Sequence, residues 1–179
     1  MSSPPAWQAC ASAVAYTEPW RSLIIRFKFH EQPALARFFA KIMMSCSTVH
    51  ELVLHCDYLI PVPLSVQRLR QRGFNQSLLL ARHLSPQRCL DQGLLRLRDT
   101  PAQAGLSREM RLANLTHAFA VHPKHIPYLT GKKLLLVDDV LTTGSTLQAC
   151  SLALLQAGAS RVDGVILARA QSQTNMLDM

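Results

Sequence analysis

Leu134-Leu135-Leu136-Val137-Asp138-Asp139-Val140-Leu141-Thr142-Thr143-Gly144-Ser145-Thr146 is the stretch on which the reading of this chain turns. Four apolar residues in a row, too few for a helix of the usual length, predict a buried strand over 134–137. A loop over 138–144 follows, and the apolar-rich segment 145–157, stopped by Gly158, predicts a helix. Residues 162–167 predict the next strand. Strand, helix and strand within so short a span make a βαβ unit, so the sheet is parallel with a right-handed crossover.

Two acids therefore stand at the carboxyl end of a buried strand, where open α/β sheets bind their ligands. Thr142-Thr143-Gly144-Ser145-Thr146 follows at the amino end of a helix, where unpaired N–H groups and the helix dipole favour an anion. The acids offer acceptors for sugar hydroxyls or a hydrated cation, and the loop offers a cradle for a phosphate monoester. A ribose 5-phosphate fits both halves. The chain has neither the lysine of a P-loop nor the G-x-G-x-x-G of a dinucleotide site.

Residues 20–29 predict a helix opened by Thr17-Glu18-Pro19. A second helical pattern begins at Pro33 and places Leu35, Phe38, Phe39, Ile42 and Met43 on one face. Asp57-Tyr58-Leu59-Ile60 reads as a strand that leaves the sheet at Pro61-Val62-Pro63. Residues 64–76 read as a loop rich in arginine (Arg68, Arg70, Arg72), and Asn75 caps a helix carrying Leu78, Leu79, Leu80 and Leu84. Phe74, between Arg72 and Asn75, is placed to meet a base or to plug this loop onto the sheet. Residues 94–97 predict a strand, 98–106 a functional loop and 107–115 a short helix. The division is an extension over 1–15 without clear periodicity, one domain over 16–170 and a polar tail over 171–179.

With 179 residues, 49% of them hydrophobic and 17% charged, the chain can bury a core and is neither disordered nor fibrous. A net charge of +8 suits an anionic partner such as phosphates, nucleic acid or a membrane surface, without choosing among them. No window is apolar enough for a membrane span, so no membrane insertion is expected, and the start lacks an export signal. Five scattered cysteines without a C-x-x-C pair read as reduced thiols in a cytoplasm and predict no zinc. His122-x-x-His125 and the group Cys46, His50, His55 and Cys56 also lack the paired spacing of a zinc site.

The thirteen residues quoted above resemble the phosphoribosyl pyrophosphate (PRPP) motif of type I phosphoribosyltransferases. Pro61-Val62-Pro63-Leu64, Arg72-Gly73-Phe74-Asn75-Gln76 and the segment from Gln103 through Asn114 to Phe119 are similar to the ComF family within that group, whose members are linked to competence for DNA uptake. The resemblance spans about residues 16–169 and implies an α/β fold with a mostly parallel sheet flanked by helices. It implies that Thr142, Thr143, Gly144, Ser145 and Thr146 hold the 5-phosphate, with Val140 and Leu141 in the same motif, and that Asp138 and Asp139 meet the ribose hydroxyls. Pro61 to Leu64 would receive pyrophosphate with Arg68 and Arg72 nearby, and 98–106 would cover the site. Asp138, Asp139 and Arg72 are then the expected catalytic residues. The implied chemistry is Mg²⁺-dependent phosphoribosyl transfer to an unknown nitrogen acceptor with release of pyrophosphate, the metal being bound mainly through PRPP. A rival reading is a non-catalytic competence protein that senses PRPP or binds single-stranded DNA or DNA-uptake proteins. Family members usually begin with a four-cysteine zinc module, whereas this sequence has one early cysteine, Cys10.

Overall fold

The run at 134–137 lies inside a longer strand of the computed structural model, which describes residues 4–29, 32–97 and 118–170. In chain order the elements are β1 (Cys10–Ala15), α1 (Trp20–Phe29), α2 (Leu35–Ser45), α3 (Ser47–His55), β2 (Tyr58–Pro61), α4 (Val66–Arg72) and α5 (Gln76–Leu84). They continue with β3 (Leu94–Arg96), β4 (Phe119–Val121), α6 (Ile126–Leu129), β5 (Lys133–Leu141), α7 (Ser145–Gln156) and β6 (Arg161–Arg169). Strands β1, β6, β5 and β2 form one sheet in that order. All three pairings are parallel, with Tyr58 opposite Leu134, Leu136 opposite Gly164 and Cys10 opposite Gly164 on its other side.

Both faces of β5 are buried, which is why its sequence is a continuous apolar run and not an alternating one. Leu135 and Val137 face a core built with Ile24 and Phe27 of α1, Phe39 and Met43 of α2, Val49 and Val53 of α3, and Leu80 of α5. Leu134 and Leu136 face the opposite core, with Leu147, Cys150 and Leu154 of α7, Leu129 of α6, and Leu94 and Phe119 of the antiparallel β3–β4 pair. Each fully buried side chain of this size contributes roughly 1.5–3 kcal/mol. The α/β sheet flanked by helices is the fold the sequence implies.

Four local readings change. Strand β5 does not stop at Val137 but runs on to Leu141, because β6 keeps pairing with it: Asp138 lies opposite Ile166 and Val140 opposite Ala168. The two acids are therefore strand residues, not loop residues. The arginine-rich segment contains a helix, α4, with Ser65 accepting from the Arg68 N–H at its start and Gly73 at φ +75° ending it. Both end signals are in the sequence, but the intervening residues bury nothing and show no apolar period. Strand β1 falls within the expected extension and makes part of it the sheet's edge; its small residues carry no alternation, and its order comes from β6. On α2 the buried residues are Ala36, Phe39, Ala40 and Met43, while Phe38 lies 42% exposed and stacks on Trp20 at 6.4 Å.

Asn75 caps α5 as expected, its Oδ1 accepting from Ser77 N–H at 3.0 Å and Leu78 N–H at 3.4 Å. Gly158, at φ +96°, follows α7 as its terminator. The expected loop over 98–106, the helix over 107–115 and the tail over 171–179 lie outside the described residues. No helix of the described residues is long and apolar enough to cross a membrane.

Candidate functional site

Strand β5 delivers the chain to a tight turn at its carboxyl end. Gly144 stands there at φ +78°, which L-residues with side chains rarely adopt, and α7 begins at Ser145. Gly144 at the N-cap has no side chain to cap the helix and no acid lies in the first turn; apart from a long 3.5 Å contact from the Ser145 N–H to Thr143 Oγ1, the first N–H groups and the positive end of the dipole face a potential anion. The Thr143 and Ser145 hydroxyls hydrogen-bond each other at 3.0 Å. Thr142 and Thr143 are exposed, Gly144 and Thr146 half-buried, and Ser145 buried, so the loop presents hydroxyls on an ordered frame.

The side of Gly144 where a Cβ would project is occupied: the Trp7 ring would lie 3.2 Å from it. Trp7 is held there because the Ala6 N–H donates to Gln148 Oε1 at 2.8 Å and Ala9 N–H donates to Asp163 Oδ1 at 2.9 Å. The glycine thus serves the turn and the packing of the segment before β1.

The acid pair is asymmetric. Asp138 Oδ1 accepts from the Ser77 hydroxyl and from the Asp139 N–H, both at 2.9 Å. Burial and the neighbouring Asp139 nevertheless push its carboxyl up from the ordinary 3.8 to about 7. Asp139 follows the alternation of Leu135 and Val137 toward the α1 and α5 layer and meets two cations. Lys28 Nζ of α1 lies 3.0 Å from its Oδ1, and Arg72 of α4 lies 3.9 Å from its Oδ2.

Arg72 is anchored from other directions as well. It donates to Gln76 Oε1 at 3.0 Å and its guanidinium lies 5.1 Å over the Phe29 ring. Burial lowers its pKa, against the opposing pull of Asp139. Arg68, exposed on α4, is near enough for its charge to act on Arg72 but has no contact with the acids. Pro61 and Val62 are buried at the end of β2, beside Val137, and Pro63 and Leu64 are half-buried. Asn75 Nδ2 donates to the Val62 carbonyl at 3.1 Å, which ties this segment to the start of α5.

The structure thus brings Asp138, Asp139, Arg72 and residues 142–146 to the carboxyl edge of the sheet, with 61–64 on the adjacent strand. Phe74 packs on Phe27 with centroids 5.8 Å apart, so it plugs this loop onto the α1 layer. Sequence reasoning missed Lys28, Ser77 and Gln76. Lys28 sits in the last turn of a helix where a basic residue is ordinary, so nothing local distinguishes it. Gln76 is fully buried and its Nε2 has no partner among the described residues. Among those residues no three His, Cys, Asp or Glu side chains gather as a metal site; the hard oxygens of Asp138, Asp139 and the loop hydroxyls suit a hydrated Mg²⁺ carried by a phosphorylated ligand.

Comparison with known proteins bears on the same region. The model of the phosphoribosyl transferase domain family matches residues 64–179. Competence protein F of Haemophilus influenzae is 39% identical over 177 residues, covering 93% of this chain and 75% of that protein. The DNA utilization protein YhgH of Escherichia coli strain K12 is 33% identical over 183 residues, covering 94% and 75%. Competence protein ComFC of Streptococcus pneumoniae is 32% identical over 155 residues, covering 86% and 65%. A solved structure described as the allosteric regulatory enzyme of purine biosynthesis superposes with a TM-score of 0.50 at 16% identity. It covers 79% of this chain and 29% of that one, and the likeness is one of fold.

Proposed function

We propose that this chain, which belongs to the ComF family of the phosphoribosyltransferase superfamily, binds PRPP at the carboxyl edge of its sheet and transfers the phosphoribosyl group to a nitrogen acceptor. The observation that carries this reading is the start of α7, with a glycine at its N-cap and hydroxyls around it, one short turn after the two strand acids. An anion cradle and a pair of sugar-hydroxyl acceptors then lie on one continuous piece of chain.

The residues divide the work by charge. The α7 N–H groups and the hydroxyls of Thr142, Thr143 and Ser145 hold the 5-phosphate. Asp138 and Asp139 accept from the ribose hydroxyls and lie beneath the sugar, where positive charge develops as pyrophosphate leaves C1. Arg72, fixed by Phe29 and Gln76, offers a planar donor fork to the departing pyrophosphate beside the 61–64 segment. If Mg²⁺ accompanies the ligand, the oxygens of Asp138, Asp139 and the loop hydroxyls would be the ones to hold its hydration shell, and it would supply further neutralisation of charge on the leaving group. The acceptor nitrogen forms the new bond to C1. The names of the relatives support a link to the handling of DNA during competence.

Calorimetric titration of the chain with PRPP, with and without Mg²⁺, tests the reading. Binding strengthened by Mg²⁺ is the expected result, and pyrophosphate release that depends on an added acceptor would establish turnover. No heat at millimolar PRPP with Mg²⁺ present would sink the ligand assignment; binding without release under any acceptor would leave a sensor in place of an enzyme.

A further inference from the structure

Two cations meet Asp139, and they are held in different ways. Arg72 has its guanidinium stacked on Phe29 and bonded to Gln76, so its planar fork is fixed whatever happens at the carboxylate. Lys28 carries its charge on a flexible four-carbon stem and, among the described residues, has Asp139 as its single polar partner. An ammonium has three donors, so two remain for other acceptors. Its side chain is 14% exposed, enclosed by the site yet reachable from it.

When ribose hydroxyls approach Asp139, its acceptor positions are already partly taken. Arg72, at 3.9 Å, holds this carboxylate loosely and has other anchors, whereas Lys28, at 3.0 Å, must lose its one partner or share it. The arriving ligand brings a new anion with it. The segment expected to receive that anion, Pro61-Val62-Pro63-Leu64, contains no cation of its own. Its backbone is committed in part, Val62 N–H to the Val137 carbonyl and the Val62 carbonyl to Asn75. Side-chain charge for a pyrophosphate must come from neighbouring elements.

We propose that Lys28 is a ligand-binding residue of this site, released from Asp139 by the ribose hydroxyls and taken up by the pyrophosphate oxygens of the same ligand. It is the mobile member of a cation pair whose fixed member is Arg72. The exchange makes recognition of the sugar and of the pyrophosphate depend on each other, since one vacates the cation that the other requires. This assignment rests on the PRPP reading above and deepens it.

The test uses the full chain and its Lys28→Gln and Lys28→Arg variants, titrated with PRPP, inorganic pyrophosphate and ribose 5-phosphate in Mg²⁺. Lys28→Gln should weaken PRPP by about tenfold or more, inorganic pyrophosphate, which brings no ribose hydroxyls to free Lys28, by clearly less, and ribose 5-phosphate by no more than about twofold, and Lys28→Arg should recover most of the loss. An equal loss for ribose 5-phosphate would reduce Lys28 to a support for Asp139 and overturn the proposal, as would unchanged PRPP affinity. A parent that fails to bind PRPP at all overturns the site reading and this assignment together. Amine acylation of the unmutated chain, read by peptide mass mapping, covers the case in which Lys28→Gln does not fold. Ribose 5-phosphate should speed labelling of Lys28 and PRPP should suppress it; labelling indifferent to both ligands would overturn the exchange.

Discussion

The loop proposed to hold the phosphate takes nearly all of its parts from residues 142–148, whereas the cluster on Asp139 draws Lys28 from α1, Arg72 from α4 and, behind Arg72, Gln76 from α5. In the first region a strand end, a left-handed glycine and a helix start are consecutive, so the geometry follows from local backbone chemistry. In the second, three helices must dock on one face of the sheet before the charges meet. A local device can be encoded in five residues. A charge cluster of this kind exists only when the surrounding core is packed, and damage to the two regions should therefore differ in kind.

Gly144→Val is the severest test of the local half. Valine at φ +78° is strained, and its Cβ would press on the Trp7 ring at 3.2 Å, so the turn has to rearrange. Calorimetry should show PRPP and ribose 5-phosphate binding both weakened by roughly a hundredfold or more. A folded Gly144→Val that binds both as the parent does would remove residues 142–146 from the phosphate site.

Asp139→Asn strikes the assembled half. The shape is retained, but Lys28 and Arg72 lose their shared anionic partner. Turnover should fall by more than PRPP affinity, and urea unfolding should show a loss of about 2 kcal/mol, below the 3–5 kcal/mol for breaking a fully buried pair because Lys28 reaches water. If neither turnover nor stability changes, the cluster has no role in holding this edge together.

Asp138→Asn sharpens the contrast between the two acids through pH. The folded carboxyl is raised to about 7 from an ordinary 3.8, so between those values the folded protein keeps a proton that the unfolded chain gives up. Stability of the parent therefore declines as pH rises through that window, and the penalty is complete above 7. Asparagine cannot ionise, and its Oδ1 can still accept from Ser77 and the Asp139 N–H. From pH 5 to pH 8 the variant should gain on the order of 2–3 kcal/mol relative to the parent in denaturant unfolding. Parallel pH profiles would contradict a raised Asp138.

Asn75 gives the smallest effect and divides its two bonds. Asn75→Ala removes the α5 cap and should cost about 1 kcal/mol in thermal or urea unfolding. Asn75→Asp keeps an oxygen for the cap but loses the donor to the Val62 carbonyl, so it should retain stability while weakening pyrophosphate binding. If Asn75→Asp binds pyrophosphate like the parent, the tie to the 61–64 segment is incidental to the site.

What could be read from residues alone was whatever depends on neighbours in the chain. The buried run at 134–137, the acids after it, the hydroxyl and glycine loop, the Asn75 cap and the Gly158 stop all have their physical causes within a few residues. Helix α1 was legible for the same reason, from its Pro19 start onward. The sequence could not show where β5 ends, because the backbone partners that extend it through Asp138 and Asp139 belong to β6. Strand β1 escaped notice because Cys10–Ala15 has no alternation of its own and is ordered by an edge that another strand supplies. Lys28 and Arg26 are indistinguishable in sequence, both basic residues in the last turn of α1. Only the docking of that helix on the face carrying Leu135, Val137 and Asp139 puts one of them 3.0 Å from the acid, because side-chain direction around a helix acquires a partner only once the core beneath it has packed.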